Sequence, residues 1–271
     1  MTQVIWDRGN SGLGVHAADP ELKALPKSDM LRSKTGKSLM TCNQTGFDTQ
    51  SQKTTWVIDQ LLDRLDQGDW MLDIGCGYGA TTHRAIDKGF NVVANDNCVD
   101  HLLWCQNDTP YDDRDRLHLK HGGFPDLTLP ENQFDAVLAH RIFHFLGGDE
   151  IDRGLTAIHK WLKPGGLLGI AVMSASHAAF RSWFFPRYAE ARDAGACWPG
   201  EWLSVAEGLP EQAYALPDRL HVIEPEELSK AVVRAGFEVI DCDYVSMQGF
   251  GSEPNRDGKE HAGVLARMPS R

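Results

Sequence analysis

The stretch Trp70-Met71-Leu72-Asp73-Ile74-Gly75-Cys76-Gly77-Tyr78-Gly79 decides the reading of this chain. Its first half is a short apolar run, its second half places glycine at i, i+2 and i+4, and amphipathic helical spacing follows to about Lys88. A buried strand that ends in a glycine-rich turn and enters a helix is the repeating unit of parallel α/β sheets, which bind their ligands at that turn. The unit recurs downstream. Strands are expected at 91–95, 117–120, 134–139 and 167–173, and helices at 99–106 and 151–162. Lys163-Pro164-Gly165-Gly166 closes the last of these helices, because proline cannot continue it and glycine permits the turn. Upstream, Trp56, Val57, Leu61, Leu62 and Leu65 mark one face of a helix beginning near Thr54. Downstream, 226–235 reads as a helix ended by Gly236, and 237–246 and 261–267 read as two final antiparallel strands. The expected fold class is α/β: a doubly wound, mostly parallel seven-stranded sheet of the Rossmann-like kind.

Two segments fall outside that rhythm. The opening, 1–53, is polar and weakly patterned, with Lys23, Lys27, Arg32, Lys34 and Lys37 clustered near Asp29; it reads as a solvated arm and a partial lid. Residues 177–221 hold eight aromatics in 45 positions, about twice the whole-chain frequency of 9%, which marks an insertion. It reads as a lid over an apolar pocket, or as a helical subdomain packed onto the sheet by its own aromatics, and the two are compatible. The expected division is an arm at 1–53, a Rossmann-like ligand-binding core at 54–176, a lid insertion at 177–221, and the rest of the core sheet at 222–271.

A length of 271 residues with 42% apolar content suffices for one large α/β domain. With 27 basic against 38 acidic residues the net charge is −11, which argues against a surface built to neutralise nucleic-acid phosphates. The aromatic insertion has four basic and six acidic residues, so it does not resemble a single-strand channel either. The longest strongly apolar stretch, 166–173, is too short to cross a bilayer, and the first residues lack a signal-peptide pattern. No membrane partner is expected, and the expected address is cytoplasmic. Cys42, Cys76, Cys98, Cys105, Cys197 and Cys242 are scattered without a Cys-x-x-Cys pair, so free thiols are expected and no metal.

Spacing in the glycine loop bears on the ligand. A dinucleotide fingerprint would be Gly-x-Gly-x-x-Gly, with its third glycine one position beyond Gly79. Here an acid, Asp73, stands two residues before the first glycine, where a carboxylate suits an ammonium group and repels a pyrophosphate. A second acid, Asp96, ends the second strand, where it can accept from both hydroxyls of a ribose.

Together with Phe134-Asp135-Ala136-Val137 and the Lys163 to Gly166 turn, these residues resemble the class I S-adenosylmethionine-dependent methyltransferases over about 70–173. The resemblance implies that the cofactor is S-adenosylmethionine and that the backbone of Gly75, Cys76 and Gly77 passes beneath its methionine part. Asp73 would orient the amino end, Asp96 would hold the ribose, and Asn97 and Cys98 would lie beside the adenine. After the third strand relatives usually carry Gly-Asp; this chain has Gly122-Gly123-Phe124, so the main chain of Gly123 and Phe124 is expected to hold the adenine. His140, at the end of the fourth strand, would touch the cofactor and open the acceptor pocket.

A sulfonium is already an activated methyl donor, so the protein chiefly aligns an acceptor and excludes water. If the acceptor is a hydroxyl, a histidine is the natural proton taker, and His140 and His144 lie at the mouth of the site; an amine or thioether needs none. Arg141, between them, suits a carboxylate or phosphate on the acceptor. His144 between Phe143 and Phe145 reads equally as a packing residue, and Arg141 as an ordinary ion-pair residue. A metal held by His140, His144, Asp149 and Glu150 lacks any recognised ligand spacing. Tyr78, Arg181, Tyr188, Trp198 and Trp202 are further candidates for the acceptor pocket. No Asn-Pro-Pro-Tyr or Asp-Pro-Pro-Tyr follows the fourth strand, which with the acidic charge favours a small-molecule acceptor. The alternative function is a non-catalytic module that binds S-adenosylmethionine and regulates a partner; the oligomeric state is left open.

Overall fold

The computed structural model describes residues 39–43, 45–48, 54–210, 213–246 and 257–270. The basic cluster and most of the expected N-terminal arm lie outside the described residues. The central sheet has seven strands: β1 (Trp70–Ile74), β2 (Asn91–Asp96), β3 (Leu117–His121), β4 (Phe134–His140), β5 (Leu162–Met173), β6 (Glu238–Val245) and β7 (His261–Arg267). Their spatial order is β3-β2-β1-β4-β5-β7-β6. The pairings β1–β2, β2–β3, β1–β4 and β4–β5 are parallel, and β7 is antiparallel to both β5 and β6. The order reverses between β1 and β4, so a crevice opens at their carboxyl ends, where ligands bind such sheets.

Helices cover both faces: α1 (Trp56–Leu62), α2 (Ala80–Asp87) and α3 (Val99–Asp108) on one, α4 (Gly148–Trp161) and α6 (Pro225–Arg234) on the other, with α5 (Phe185–Asp193) in the insertion. Period-two alternation assigns side chains to the layers. Val137 and Ala139 of β4 join the core beneath α4 and α6, whereas Ala136 and Leu138 join the core beneath α1 and α2. By the same alternation His140 points to the α1 side, and so does His261, in step with Leu265 of β7.

Helix α1 ends at Leu62, short of the expected Leu65, and two further boundaries shift by three residues or more. Helix α4 starts at Gly148 because Glu150 Oε2 accepts the Gly147 N–H at 2.8 Å and Glu201 Oε1 accepts that of Gly148 at 3.1 Å. Lys163 to Gly166 does not separate helix from strand; it is a bulge inside β5, between the pairs Phe134↔Leu162 and Ala136↔Leu167. Gly165 at φ +82° allows the bend, Gly166 accepts the Met268 N–H at 2.8 Å, and Lys163 reaches Asp135 at 2.6 Å. The motif therefore ties the lower edge of the sheet, far from the ligand crevice. No helix among the described residues is long and apolar enough to cross a membrane.

Candidate active site

The glycine loop has the backbone that only such a sequence adopts readily. Gly75, Gly77 and Gly79 lie at φ +65°, +55° and +86°, in the left-handed region that a Cβ disfavours. A Cβ on Gly75 would stand 2.0 Å from Ile142 Cδ1, and one on Gly79 would stand 2.5 Å from Cys105 Sγ. Gly79 is the N-cap of α2, and Cys76 N–H donates to the Asn95 carbonyl at 2.8 Å, tying the loop to β2.

Both acids are buried and already organised. Asp73 Oδ2 accepts the Thr82 hydroxyl at 2.7 Å, a partner nine residues on that the sequence reading did not single out. Asp96 is the hub: Oδ2 accepts the Gly77 N–H at 3.0 Å, and Oδ1 accepts the Cys98 N–H at 2.9 Å and His101 Nδ1 at 3.0 Å. Among the described residues this carboxylate is held by two backbone donors and one imidazole at the end of β2, beside the glycine loop. Asn97 Oδ1 accepts from the Asn43 amide at 3.0 Å, and the Asn97 carbonyl accepts from His121 Nε2 at 3.1 Å. A Cβ on Gly123 would meet nothing within 4 Å, whereas the Phe124 ring turns into the core against Phe143, Trp161 and Gly154. What Phe124 offers the adenine side is thus main chain. Two acids beside left-handed glycines fit a ligand with an ammonium and a vicinal diol, as S-adenosylmethionine has.

At the end of β4 the histidines gather. His140 Nε2 lies 3.4 Å from the Thr55 hydroxyl at the start of α1. Its pKa is pushed down to about 3 by burial and then by the Arg141 guanidinium. Burial first and Arg141 second also hold His144 and His261 well below the ordinary range. His261, which the sequence reading placed only in a strand, is 4% exposed, and neither of its ring nitrogens has a hydrogen-bond partner among the described residues. Burial likewise lowers His221, whose Nδ1 donates to the Leu146 carbonyl at 3.0 Å. Histidines held this low are neutral near pH 7 and are weak proton acceptors. Of the two acids nearest these histidines in sequence, Glu150 caps α4 and Asp149 faces solvent.

These neutral histidines set an acid limit on stability. The unfolded chain binds a proton at each near pH 6.5, while the folded chain takes it up only at lower pH, well below for His144 and His261. Stability is therefore intact above pH 6.5 and is lost as the pH falls below it. Each of His144, His221 and His261 removes up to about 1.4 kcal/mol per pH unit in that window. Urea unfolding at pH 7, 6 and 5 is expected to show a midpoint that falls progressively; a constant midpoint would mean that these side chains are protonated in the fold.

The insertion candidates meet fates that their sequence did not separate. Tyr188 is buried, with its hydroxyl on Glu227, which docks α5 onto α6. Trp198 covers Gly148 at the head of α4, and Arg234 stacks on its ring at 5.5 Å. Arg181 joins the Ser176 carbonyl to Asp257, tying the start of the insertion to the approach to β7. Trp202 is 46% exposed at φ +67°. Phe180, Phe184, Tyr188 and Leu203 form a small core of their own, as the packing alternative has it. Tyr78 is buried under the short ribbon Leu39–Met40, its hydroxyl donating to the Met40 carbonyl at 2.9 Å. Of the residues that crowd the loop, Ile142 and Cys105 were not singled out, because nothing in their local pattern reports the glycines they face.

Residues 72–170 match the family described as "Methyltransferase domain". A probable fatty acid methyltransferase of Mycobacterium tuberculosis is 27% identical over 120 residues, covering 44% of this chain and 27% of the relative. The chain thus spans about a quarter of the length of that curated relative. A SAM-dependent methyltransferase structure from Methanosarcina mazei aligns with a TM-score of 0.60 at 16% identity, over 81% of this chain and 100% of that one. The 1,6-didemethyltoxoflavin-N1-methyltransferase of Burkholderia thailandensis, solved with 1,6-didemethyltoxoflavin and S-adenosylhomocysteine, aligns with a TM-score of 0.56 at 20% identity, over 79% and 77% of the two chains. At such identities the two structures speak for the fold. Sheet order, glycine loop and paired acids define a Rossmann-like core. Its 72–170 segment matches the methyltransferase-domain family, and the aligned methyltransferase structures share its fold.

Proposed function

We propose that this chain transfers the methyl group of S-adenosylmethionine to a small acceptor whose apolar body carries an anionic group. The observation that carries this reading is the Gly77 N–H on Asp96 Oδ2 at 3.0 Å, which sets a fixed carboxylate against a glycine cradle at the open end of the sheet. S-adenosylmethionine supplies an electrophilic methyl on a sulfonium. Asp96 holds the ribose and Asp73 faces the amino end, while Gly75, Cys76 and Gly77 support the methionine part. Asn97 and the main chain of Gly123 and Phe124 border the adenine.

On the acceptor side, Arg141 is the cation among His140, His144 and His261, three imidazoles that burial keeps neutral. An anionic group of the acceptor would meet Arg141 there. Because those histidines are weak bases, the reaction relies on alignment and on excluding water, and its rate should be flat from pH 6 to 8. The net charge of −11 and the names of the two relatives, which speak of a fatty acid and of a toxoflavin precursor, support a small acceptor.

Two experiments test this. Calorimetry with S-adenosylhomocysteine on the native chain and on Asp73→Ala should show weaker binding by the variant; equal binding rejects the loop assignment. With labelled S-adenosylmethionine, methyl groups should appear in carboxylate-bearing acceptors in preference to their methyl esters. Arg141→Gln should then raise the acceptor KM about 10- to 100-fold, the worth of a charge-assisted hydrogen bond, with cofactor affinity unchanged. Absence of any labelled product would leave a cofactor-binding module.

A further inference from the structure

Cys42, Cys98 and His101 are separated by as many as 59 positions and come from two separate parts of the fold, yet their ligand-capable atoms all lie within 4.8 Å of one another. The geometry points to a site for one soft divalent cation of the zinc type, formed by Cys42 Sγ, Cys98 Sγ and His101 Nε2. No step of methyl transfer uses this site, and the inference stands apart from the proposed reaction.

The orientation of His101 is what separates this cluster from an accidental meeting of thiols. Its Nδ1 donates to Asp96 Oδ1 at 3.0 Å, which fixes the tautomer and leaves the lone pair on Nε2. Nε2 points at the ribbon, where it accepts the Cys42 N–H at 3.1 Å. A histidine oriented by a carboxylate through one nitrogen, with the other turned to the ligand position, is the arrangement that metal-binding histidines adopt. Cys98 is the N-cap of α3 and His101 lies in its first turn, so the two project from one side of that helix end. Cys42 comes from the other direction, out of the turn that follows Leu39–Met40.

Access and geometry are both adequate. His101 is 2% exposed, whereas both cysteines are half-buried, so an ion has a path from solvent. A tetrahedral zinc site takes sulfur at roughly 2.3 Å and imidazole nitrogen at roughly 2.0 Å. Side-chain rotation of about 1 Å would bring donors now within 4.8 Å to that spacing. On binding, each thiol releases one proton, and the Nε2 lone pair passes from the Cys42 amide to the metal. Water completes the fourth position, beside the Tyr78 hydroxyl that stands 3.5 Å from Cys42 Sγ. The ion would fasten the Leu39–Met40 ribbon to α3, next to the carboxylate assigned to the ribose.

The test uses the full chain, reduced with a phosphine, freed of metal and titrated with cobalt(II) and then zinc(II). One equivalent of cobalt should give a thiolate charge-transfer band that zinc displaces. Cys42→Ser and Cys98→Ser should each weaken zinc binding at least about 100-fold, while Cys197→Ser, at an exposed thiol elsewhere, should leave it unchanged. In the native chain zinc should also protect Cys42 and Cys98, and not Cys197, from alkylation read by mass spectrometry, a result independent of any variant. No thiolate band, a band that survives in the double serine variant, or alkylation indifferent to zinc would each overturn the site. A Cys42–Cys98 disulfide that forms on reoxidation, with no metal uptake by the reduced chain, would do so as well.

Discussion

Replacing Asp96 with alanine is expected to abolish measurable binding of S-adenosylhomocysteine and to lower the stability of the fold by about 2–4 kcal/mol. The carboxylate is 6% exposed and receives three donors, from Gly77, Cys98 and His101. A buried donor left without its acceptor costs about 1–3 kcal/mol, and water entering the space of the lost side chain offsets part of the sum. The binding loss has a separate origin. Asp96 both presents oxygen to a ribose and holds the Gly77 amide, so its removal slackens the cradle and deletes the recognition group together. Asp96→Asn keeps the shape and one carbonyl oxygen, and its amide nitrogen cannot accept from a third donor; it should retain most of the stability while losing at least tenfold in affinity. Calorimetry and urea unfolding read the two effects apart. If Asp96→Ala binds S-adenosylhomocysteine as the native chain does, the ribose lies elsewhere.

The residues that announce this site are those whose role is local. Gly75, Gly77 and Gly79 must enter the left-handed region within one turn, and Asp96 ends a strand, so spacing alone reveals them. The strands were legible for the same reason: Val92, Val93 and Ala94 or Val137 and Leu138 form short apolar runs at the length a strand needs. Contacts made across the fold leave no such trace. The first turn of α4 contains Gly148, a poor helix former, and is held by Glu201 and covered by Trp198 from the insertion, so periodicity finds the helix only from Ile151 onward. Lys163 to Gly166 has the composition of a turn, but its Lys163–Asp135 pair and its bond to Met268 draw it into the sheet. Tyr188, Trp198 and Arg181 carry the chemistry of ligand-binding residues, and their partners, Glu227, Arg234 and Asp257, lie 36 to 76 positions away. The meeting of Cys42 with Cys98 and His101 is invisible to spacing rules, since Cys42 comes from the turn after a ribbon that precedes the first helix.

Gly75→Ala is expected to destabilise the chain by about 2–5 kcal/mol and to remove cofactor binding, because two independent costs fall on one methyl group. The first is conformational: at φ +65° an L residue pays roughly 1–2 kcal/mol that glycine does not. The second is steric: the new Cβ would stand 2.0 Å from Ile142 Cδ1 and 2.7 Å from Cγ1, so the isoleucine must leave its place. Overpacking of that kind costs typically 1–3 kcal/mol, and the displaced side chain has the cofactor crevice as its neighbour. The two costs separate in the double variant Gly75→Ala/Ile142→Ala, which removes the collision and keeps the backbone strain. It should recover part of the affinity for S-adenosylhomocysteine relative to Gly75→Ala and none of the conformational cost. Recovery to the native value would make the contact with Ile142 the whole reason for glycine at this position; no recovery would assign it to the left-handed turn that carries the loop beneath the ligand.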